Sequence, residues 1–401
     1  MKEGWEYKTL GECCEKINGL WKGKKEPFVN VGVIRNANFT KEMTLDFSNI
    51  EYLDVEVKQY NSRKLKRGDL IVEKSGGSEK QPVGRVVLFL KGDGEYSFSN
   101  FTSVLRIINK DELLYEFLYK FLLYIYRRGD TKSMQKATTG IHNIEFEKYL
   151  NIRVPIIPID EQRRIVSYLD SSFQLIDKIK EKAQKSLSEA KALFQSALAE
   201  AMEPKEGWEE KTLGDVCILI RGPFGGSLKK ECFTREGYAV YEQQNAIYNQ
   251  FTFRYFIDEN KYNEMARFKV KAGDLIMSCS GTIGKVAIIP DNYQNGIINQ
   301  ALLKLTPLGI LNSYFLKYLM ESKIFLDKLL VYTEGVAIKN VASVSVLKGI
   351  QINIPPLSTQ KQIVSHLDKL SSNVKQMEEK YQKIVEECDA LKQAMLRDVF
   401  E

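Results

Sequence analysis

A heptad-like stripe that occurs twice is the strongest constraint on how this chain can fold. Between Ser358 and Phe400, the residues Ile363, Leu367, Leu370, Val374, Met377, Tyr381, Ile384, Cys388, Leu391 and Met395 recur in alternating steps of four and three. This is an a/d seam, and it leaves Lys375, Glu378, Glu379, Lys383 and Glu386 on the other faces of the helix. Such a stripe needs a partner helix to leave water. The chain contains one. Shifted back by 198 residues, Ile165, Leu169, Ser172, Ile176, Ile179, Ala183, Ser186, Ala190, Leu193 and Ala197 repeat the seam with smaller residues. Each helix is predicted to run about 40 residues, or ~60 Å at ~1.5 Å per residue.

The duplication extends beyond the helices. Lys2 to Glu12 recurs as Lys205 to Asp215 with nine of eleven positions identical. Gly68-Asp69-Leu70-Ile71 recurs as Gly273-Asp274-Leu275-Ile276, and Gly84-Arg85-Val86 answers Gly284-Lys285-Val286. An amphipathic helix built on Leu113, Phe117, Leu118, Phe121 and Leu122 answers Leu311, Phe315, Leu316, Leu319 and Met320. Gln162 and Asp170 answer Gln360 and Asp368. A period of this kind decides the architecture before any local reading does. The order is globule (1–158), long helix (159–203), globule (204–356), long helix (357–401).

Inside each globule, short β-rich runs (Gly84 to Leu90, Gly284 to Ile289, Ala301 to Leu305) are separated by Gly and Asn/Asp turns. One helix follows. An extended exit through Pro155 and Pro158, or through Pro355-Pro356, then starts the long helix cleanly, because proline fixes φ and lacks a backbone donor. The fold class is α+β: two similar globules joined by two long helices in an antiparallel coiled coil, with pseudo-twofold internal duplication. The helices must be antiparallel because the second globule begins where the first helix ends. That places the heads at opposite ends of a rod, a geometry suited to two half-sites on one side of a duplex. Between the anchors the two halves differ freely, so the globules are expected to do the same kind of job on different targets.

Catalysis is not expected. Of the two histidines, His142 falls in a polar loop and His366 lies beside the seam residue Leu367. Gly281-Thr282-Ile283-Gly284-Lys285-Val286 lacks the spacing and the Ser/Thr of a phosphate-binding loop. Asn353-Ile354-Pro355-Pro356 reads as a helix lead-in. The six cysteines show no CxxC and no metal-ligand spacing, which points to reduced thiols without zinc. No apolar run reaches membrane-spanning length, and Met1 to Trp5 does not resemble a secretory leader, so a cytoplasmic location is expected.

Binding is better supported. The net charge of +6 is a mild excess compatible with nucleic acid. Lys58 to Arg67 holds five basic residues in ten with no acid. Arg63 and Lys64 from this run, with Lys22, Lys24 and Lys25, are candidates for a phosphate-contacting face; a solvated helix preceding a strand is the bland alternative. In the second globule, Arg221 opens a glycine-rich loop that ends in Lys229 and Lys230, a combination of backbone N–H groups and cations suited to phosphate oxygens.

Base reading needs polar side chains on loops held by a rigid frame. First-globule candidates are Arg35, Asn36 and Asn38; Lys74, Ser75, Lys80 and Gln81; and Thr138, Thr139, His142 and Asn143. Those of the second are Gln243, Gln244 and Asn245; Ser278, Ser280 and Thr282; and Thr333, Lys339 and Asn340. Any one of these is a good turn former. Their recurrence at matching places in both halves is what favours contact with bases.

These features together resemble the specificity subunit of type I restriction–modification enzymes. The resemblance is carried by Gly4-Trp5 to Leu10-Gly11 and its copy, by Gly273 to Ala287, and by the Pro355 to Val364 lead-in with its copy at Pro158 to Val166. It implies that each globule is a target-recognition domain reading one half of a bipartite site in double-stranded DNA. It also implies that the helices act as a ruler and dock two methyltransferase subunits, with a motor/nuclease subunit joining for restriction. S-adenosylmethionine, ATP and Mg would then sit on those partners, and this chain would hold no cofactor, metal or catalytic residue. The first globule departs from the pattern: Ser75 to Gly84 is longer than the matching Ser280 to Gly284. A non-DNA coiled-coil scaffold with two protein-binding heads is the alternative, and a standalone endonuclease lacks clustered carboxylates.

Overall fold

The computed structural model describes residues 4–21, 23, 25–79, 81–138, 141–331 and 343–401. Contacts divide the chain into two units, Met1–Ala183 with Gln382–Glu401, and Gln184–Tyr381.

In the first unit, a four-stranded antiparallel sheet runs in the order Cys14–Asn18, Thr102–Ile107, Leu70–Glu73, Val86–Leu88. Leu70-Ile71-Val72 is apolar without alternation because both faces of this strand are covered. The turn before it explains the repeated Gly-Asp: Gly68 takes φ +93°, which a side chain would strain, and Asp69 Oδ2 accepts the backbone N–H of Lys66 at 2.8 Å. A second sheet pairs Phe28–Ile34 antiparallel with Glu51–Glu56 and parallel with Tyr96–Phe98. A third, small sheet places Ile141–Ile144 between Gln135–Thr138 and Ser75–Gly77.

The second unit repeats the first two sheets. Its four strands are Cys217–Arg221, Leu302–Pro307, Leu275–Ser278 and Val286–Ile288, in the same order. Tyr238–Tyr241 pairs antiparallel with Phe256–Ile257 and parallel with Gly296–Ile298. In each unit the repeated Lys-Thr-Leu-Gly segment passes from a strand into a one-turn helix through a capping box, Thr9 with Glu12 and Thr212 with Asp215. That strand pairs with the exit strand, Glu6–Thr9 with Arg153–Ile156 and Glu209–Thr212 with Gln351–Ile354.

The amphipathic helix of the first unit, Tyr115–Arg128, stops at Gly129 in the left-handed region. Its counterpart Ser313–Glu321 stops at Ser322, and a separate helix follows at Lys323–Val331. The long helices span Ile159–Met202 and Leu357–Phe400. Each is anchored by one buried glutamine. Gln162 accepts the Leu114 N–H at 2.9 Å and donates to the carbonyls of Glu112 and Ile157 at 2.8 Å. Gln360 accepts the Asn312 N–H at 2.8 Å and donates to Ile310 at 3.0 Å and Pro355 at 2.8 Å.

The coil is antiparallel. In the first unit Asp177 meets Lys392 at 2.5 Å and Lys180 meets Asp389 at 3.2 Å. In the second, Lys191 meets Glu378 at 2.6 Å. The end of each partner helix joins a globule core: Phe400 packs against Phe117 and Phe121, and Leu198 and Met202 join Phe315 and Leu319. The seam itself differs from the expected one. Leu169, Ile176, Leu367 and Cys388 are buried, but Ile179, Leu193 and Leu391 are exposed. Leu187, Leu198 and Lys392 are buried, each one residue past a predicted seam position (Ser186, Ala197, Leu391), so over these turns the buried face is rotated by one residue.

Candidate nucleic-acid interface

Three segments of the first globule meet. Asn36 lies in a short 3-10 turn, Asn36–Asn38, and its Nδ2 donates to the Ser75 carbonyl at 2.6 Å. Ser75 in turn pairs with Asn143, and Gly77 with His142, across the small sheet. The Nδ1 of His142 and the Oδ1 of Asn36 are buried without a partner, polar capacity that native interiors rarely leave open. Gln81 is exposed, and with its amide oxygen turned toward Arg85 it accepts from that guanidinium at 3.0 Å. Thr138 ends the strand Gln135–Thr138. Lys80 and Thr139 lie outside the described residues.

The second globule builds the same junction from different residues. The helix Gln243–Tyr248 begins where the first globule has its 3-10 turn, and Gln243 Nε2 donates to the Ser280 carbonyl. Gln244 and Tyr248 sit four apart on this helix, hence on one face, and Tyr248 is exposed. Thr282 is exposed on the adjoining turn. Thr333, Lys339 and Asn340 lie outside the described residues.

Two of the candidates brace their turns from inside the fold. Asn38 is 2% exposed and Asn245 1%. Asn38 Oδ1 accepts the Arg35 N–H at 2.9 Å, and its Nδ2 donates to the carbonyls of Asn49 at 3.0 Å and Asp46 at 3.3 Å. Asn245 Oδ1 accepts the Glu242 N–H at 2.7 Å, and its Nδ2 donates to Gln250 at 2.7 Å and Thr252 at 3.2 Å. Ser278 is likewise buried, its hydroxyl accepting the Lys285 N–H at 3.0 Å, and Ser75 is buried in its strand. Burial, rather than a lack of hydrogen-bonding capacity, keeps these four side chains from a base edge.

On this matched mount the charges are reversed. Arg35 pairs with Glu51 in the first globule, whereas Glu242 takes the guanidinium fork of Arg254 at 2.9 and 3.0 Å in the second. Neither partner, Glu51 or Arg254, was legible in the sequence, because each lies more than ten residues from the residue it pairs with.

The basic candidates divide. Lys229 and Lys230 are exposed after the turn Gly225–Leu228, and Lys25 is exposed. Arg63 Nε donates to the Asn18 carbonyl at 3.1 Å, and Lys64 meets Glu95 at 3.2 Å. Arg221 ends its strand with a buried Nε. Lys22 and Lys24 lie outside the described residues. Burial, and then the nearby Lys16 ammonium, push Lys74 below the ordinary lysine range. Lys16 was missed because it stands alone in a strand. Among the described residues no group of His, Cys, Asp and Glu is placed to hold a metal ion, and no helix is long and apolar enough to cross a membrane.

Two α+β units with matched scaffolds, unlike polar junctions and an antiparallel helix pair in each define a tandem recognition protein. The chain belongs to the family described as type I restriction modification DNA specificity domain, whose sequence profile matches residues 2–188 and again 205–386. It is a DNA-specificity subunit of the type I restriction–modification class. Among similar proteins, the type I restriction enzyme MjaVIII specificity subunit of Methanocaldococcus jannaschii is 24% identical over 68% of this chain and 67% of its own length. The type I restriction enzyme StySPI specificity subunit of Salmonella potsdam is 22% identical over all of this chain and 89% of its own. The fold matches a solved chain from a study of complex assembly and conformational transition in the type I system, with a TM-score of 0.79 at 20% identity over 100% of this chain and 98% of that one. It also matches the HsdS subunit from Thermoanaerobacter tengcongensis, with a TM-score of 0.57 at 19% identity over 100% and 97%.

Proposed function

We propose that each globule reads one half of a bipartite site in double-stranded DNA, and that the coil fixes the spacer between the halves and docks two methyltransferase subunits. The observation that carries this reading is the matched mount with unlike contents. Asn38 and Asn245 brace the same turn in the same way, while the residues they present are Arg35-Asn36 in one half and Glu242-Gln243-Gln244 in the other. One scaffold with two chemistries is what two different half-sites require.

The cations supply affinity without sequence preference, and the polar junctions supply discrimination, at roughly 1–3 kcal/mol per good bidentate contact. Exposed Leu175, Ile179, Leu193 and Leu391 on the coil favour further helices packing against it. The chemistry belongs to the partners: methyltransferase subunits with S-adenosylmethionine, and a motor/nuclease subunit with ATP and Mg for restriction. This chain orients them on DNA and contributes no catalytic group.

The test is to express the chain with its methyltransferase subunits in a host free of adenine methylation and to sequence the modified bases. The outcome expected is one motif in two parts with an invariant unread gap. Gln243→Ala and Gln244→Ala should alter one part and leave the other intact. Modification at a continuous motif, or at unrelated adenines, would overturn the reading.

A further inference from the structure

One pair of side chains has no role in the junctions above. Each globule leaves its first core strand through the same three steps. In the first, Asn18 ends the strand Cys14–Asn18, Gly19 and Leu20 follow, and Trp21 stands 64% exposed. In the second, Arg221 ends the strand Cys217–Arg221, Gly222 and Pro223 follow, and Phe224 stands 77% exposed. A large aromatic ring left this bare forgoes burial that the fold could have given it.

The rings are held out by rigid mounts. A Cβ on Gly19 would lie 1.8 Å from the Ser99 carbonyl oxygen, and one on Gly222 1.8 Å from that of Asn299. Both glycines therefore exist to let the loop press against the neighbouring backbone. Hydrogen bonds then fasten each loop, Leu20 N–H to Phe98 at 2.8 Å and Gly222 N–H to Leu302 at 2.9 Å. Leu20 and Pro223, the residues just before the rings, are buried. An exposed ring on a mobile loop would need no explanation. An exposed ring on a clamped loop, at the same place in two halves whose surfaces otherwise differ, does.

What the rings meet is indicated by their surroundings. Exposed Lys25 follows Trp21 by four residues, and exposed Lys229 and Lys230 follow Phe224 by five and six. A flat apolar face beside flexible cations matches nucleic acid, whose bases offer π-faces and whose backbone offers phosphates. A protein partner with an apolar pocket would not call for lysines at both copies. We propose that Trp21 and Phe224 are wedges, one per half-site, that insert against a base step and partly unstack it while the neighbouring lysines hold the flanking phosphates. The inference rests on the DNA-reading function proposed above. It assigns to these two rings a contact with bases that is independent of the polar junctions.

The complex of the full chain with its methyltransferase subunits tests it, using fluorescein-labelled duplexes with and without the motif found by methylation mapping. Trp21→Ala and Phe224→Ala should each weaken binding about tenfold, the factor for ~1.4 kcal/mol of lost stacking. The dependence on salt should stay unchanged, because no phosphate contact is removed. Trp21→Phe and Phe224→Trp should restore affinity, and the alanine variants should unfold at the wild-type temperature. Alanine variants that bind as tightly as wild type, or that lose affinity together with salt dependence, would overturn the wedge while leaving site recognition standing. A wild-type complex that fails to distinguish the two duplexes would instead remove the reading on which the wedge rests.

Discussion

Asn36 Nδ2 donates to the carbonyl of Ser75 at 2.6 Å, and Gln243 makes the same bond to the carbonyl of Ser280 in the other globule. Each bond ties a polar turn to the segment that follows the core strand Leu70–Glu73 or Leu275–Ser278, so two segments distant in sequence present a single surface. Asn36→Ala and Gln243→Ala should each remove one hydrogen bond of about 1 kcal/mol. That is too little to unfold the domain and enough to loosen the surface. The preference for target over non-target duplex should fall about fivefold, measured as a ratio of dissociation constants at fixed salt. An unchanged ratio would show that the loops are held by other means.

Asn38 and Asn245 should behave differently. Each satisfies three backbone groups from inside the fold, and truncation to alanine leaves buried donors and acceptors unmatched. The cost expected is about 2–3 kcal/mol. Thermal unfolding should show it as a lowered transition for the affected globule, with amide exchange accelerated at 35–49 or at 242–252. Aspartate should not rescue either site, because the Nδ2 donor is the group that spans the turn.

The cysteines give a prediction in pH. Burial pushes the Cys14, Cys217 and Cys279 thiols up to about 12, and Cys13 to about 11. In the unfolded chain thiols ionise near ~8.5. Folding holds them protonated, so their contribution is intact below that pH and is lost as pH climbs toward the folded values. At pH 8 iodoacetamide should modify half-buried Cys232 and spare these four until denaturant is added, as read by peptide mass spectrometry. Rapid native labelling of Cys217 would contradict the burial.

Much of this architecture was readable beforehand because it is written twice. Gln162 and Gln360, or Asp69 and Asp274, stood out as repeats before their hydrogen bonds were known, and a repeated buried polar residue has a geometric duty. The helix seam was readable only to within one position. Ile179 and Leu193 are large and apolar, so periodicity places them inward, yet they face out, while Lys180, Leu187 and Lys392 carry the contact. Periodicity cannot choose between adjacent positions when both hold long side chains, and a lysine is discounted unless its acid is in view. The recognition surface was legible as a set of loops and illegible as contacts. A half-buried asparagine at a junction and a buried one that braces a turn look alike in sequence, and only the positions of the surrounding carbonyls separate Asn36 from Asn38.

Lys392 offers a direct test of that rotated seam. It is 5% exposed, meets Asp177 at 2.5 Å and lies over the Phe173 ring at 5.2 Å from its centroid. Lys392→Ala should destabilise the first unit by about 1–2 kcal/mol through lost packing and cation–π contact. Lys392→Leu should be close to neutral, because the new side chain keeps the apolar packing and Asp177, whose side chain is 55% exposed, stays hydrated without its partner. Leu391→Ala, one residue away and exposed, should leave stability unchanged. Were Leu391→Ala the damaging change, the seam would be the one expected from periodicity.

The register also makes the proposed ruler testable without disturbing either head. Asp177 opposes Lys392 and Lys180 opposes Asp389, so residues 177–183 of one helix face 386–392 of the other. Deleting both segments removes seven residues from each helix and keeps every remaining pair aligned. The helices shorten by ~10 Å, which corresponds to about three base pairs along a duplex. Methylation mapping of this variant should return the same two half-motifs with the unread gap reduced by about three. Deleting only 177–183 should slip the seam by two turns, bring unlike charges out of register and abolish modification altogether. An unchanged gap in the double deletion would mean that the spacing is set elsewhere, by the partner subunits or by the DNA.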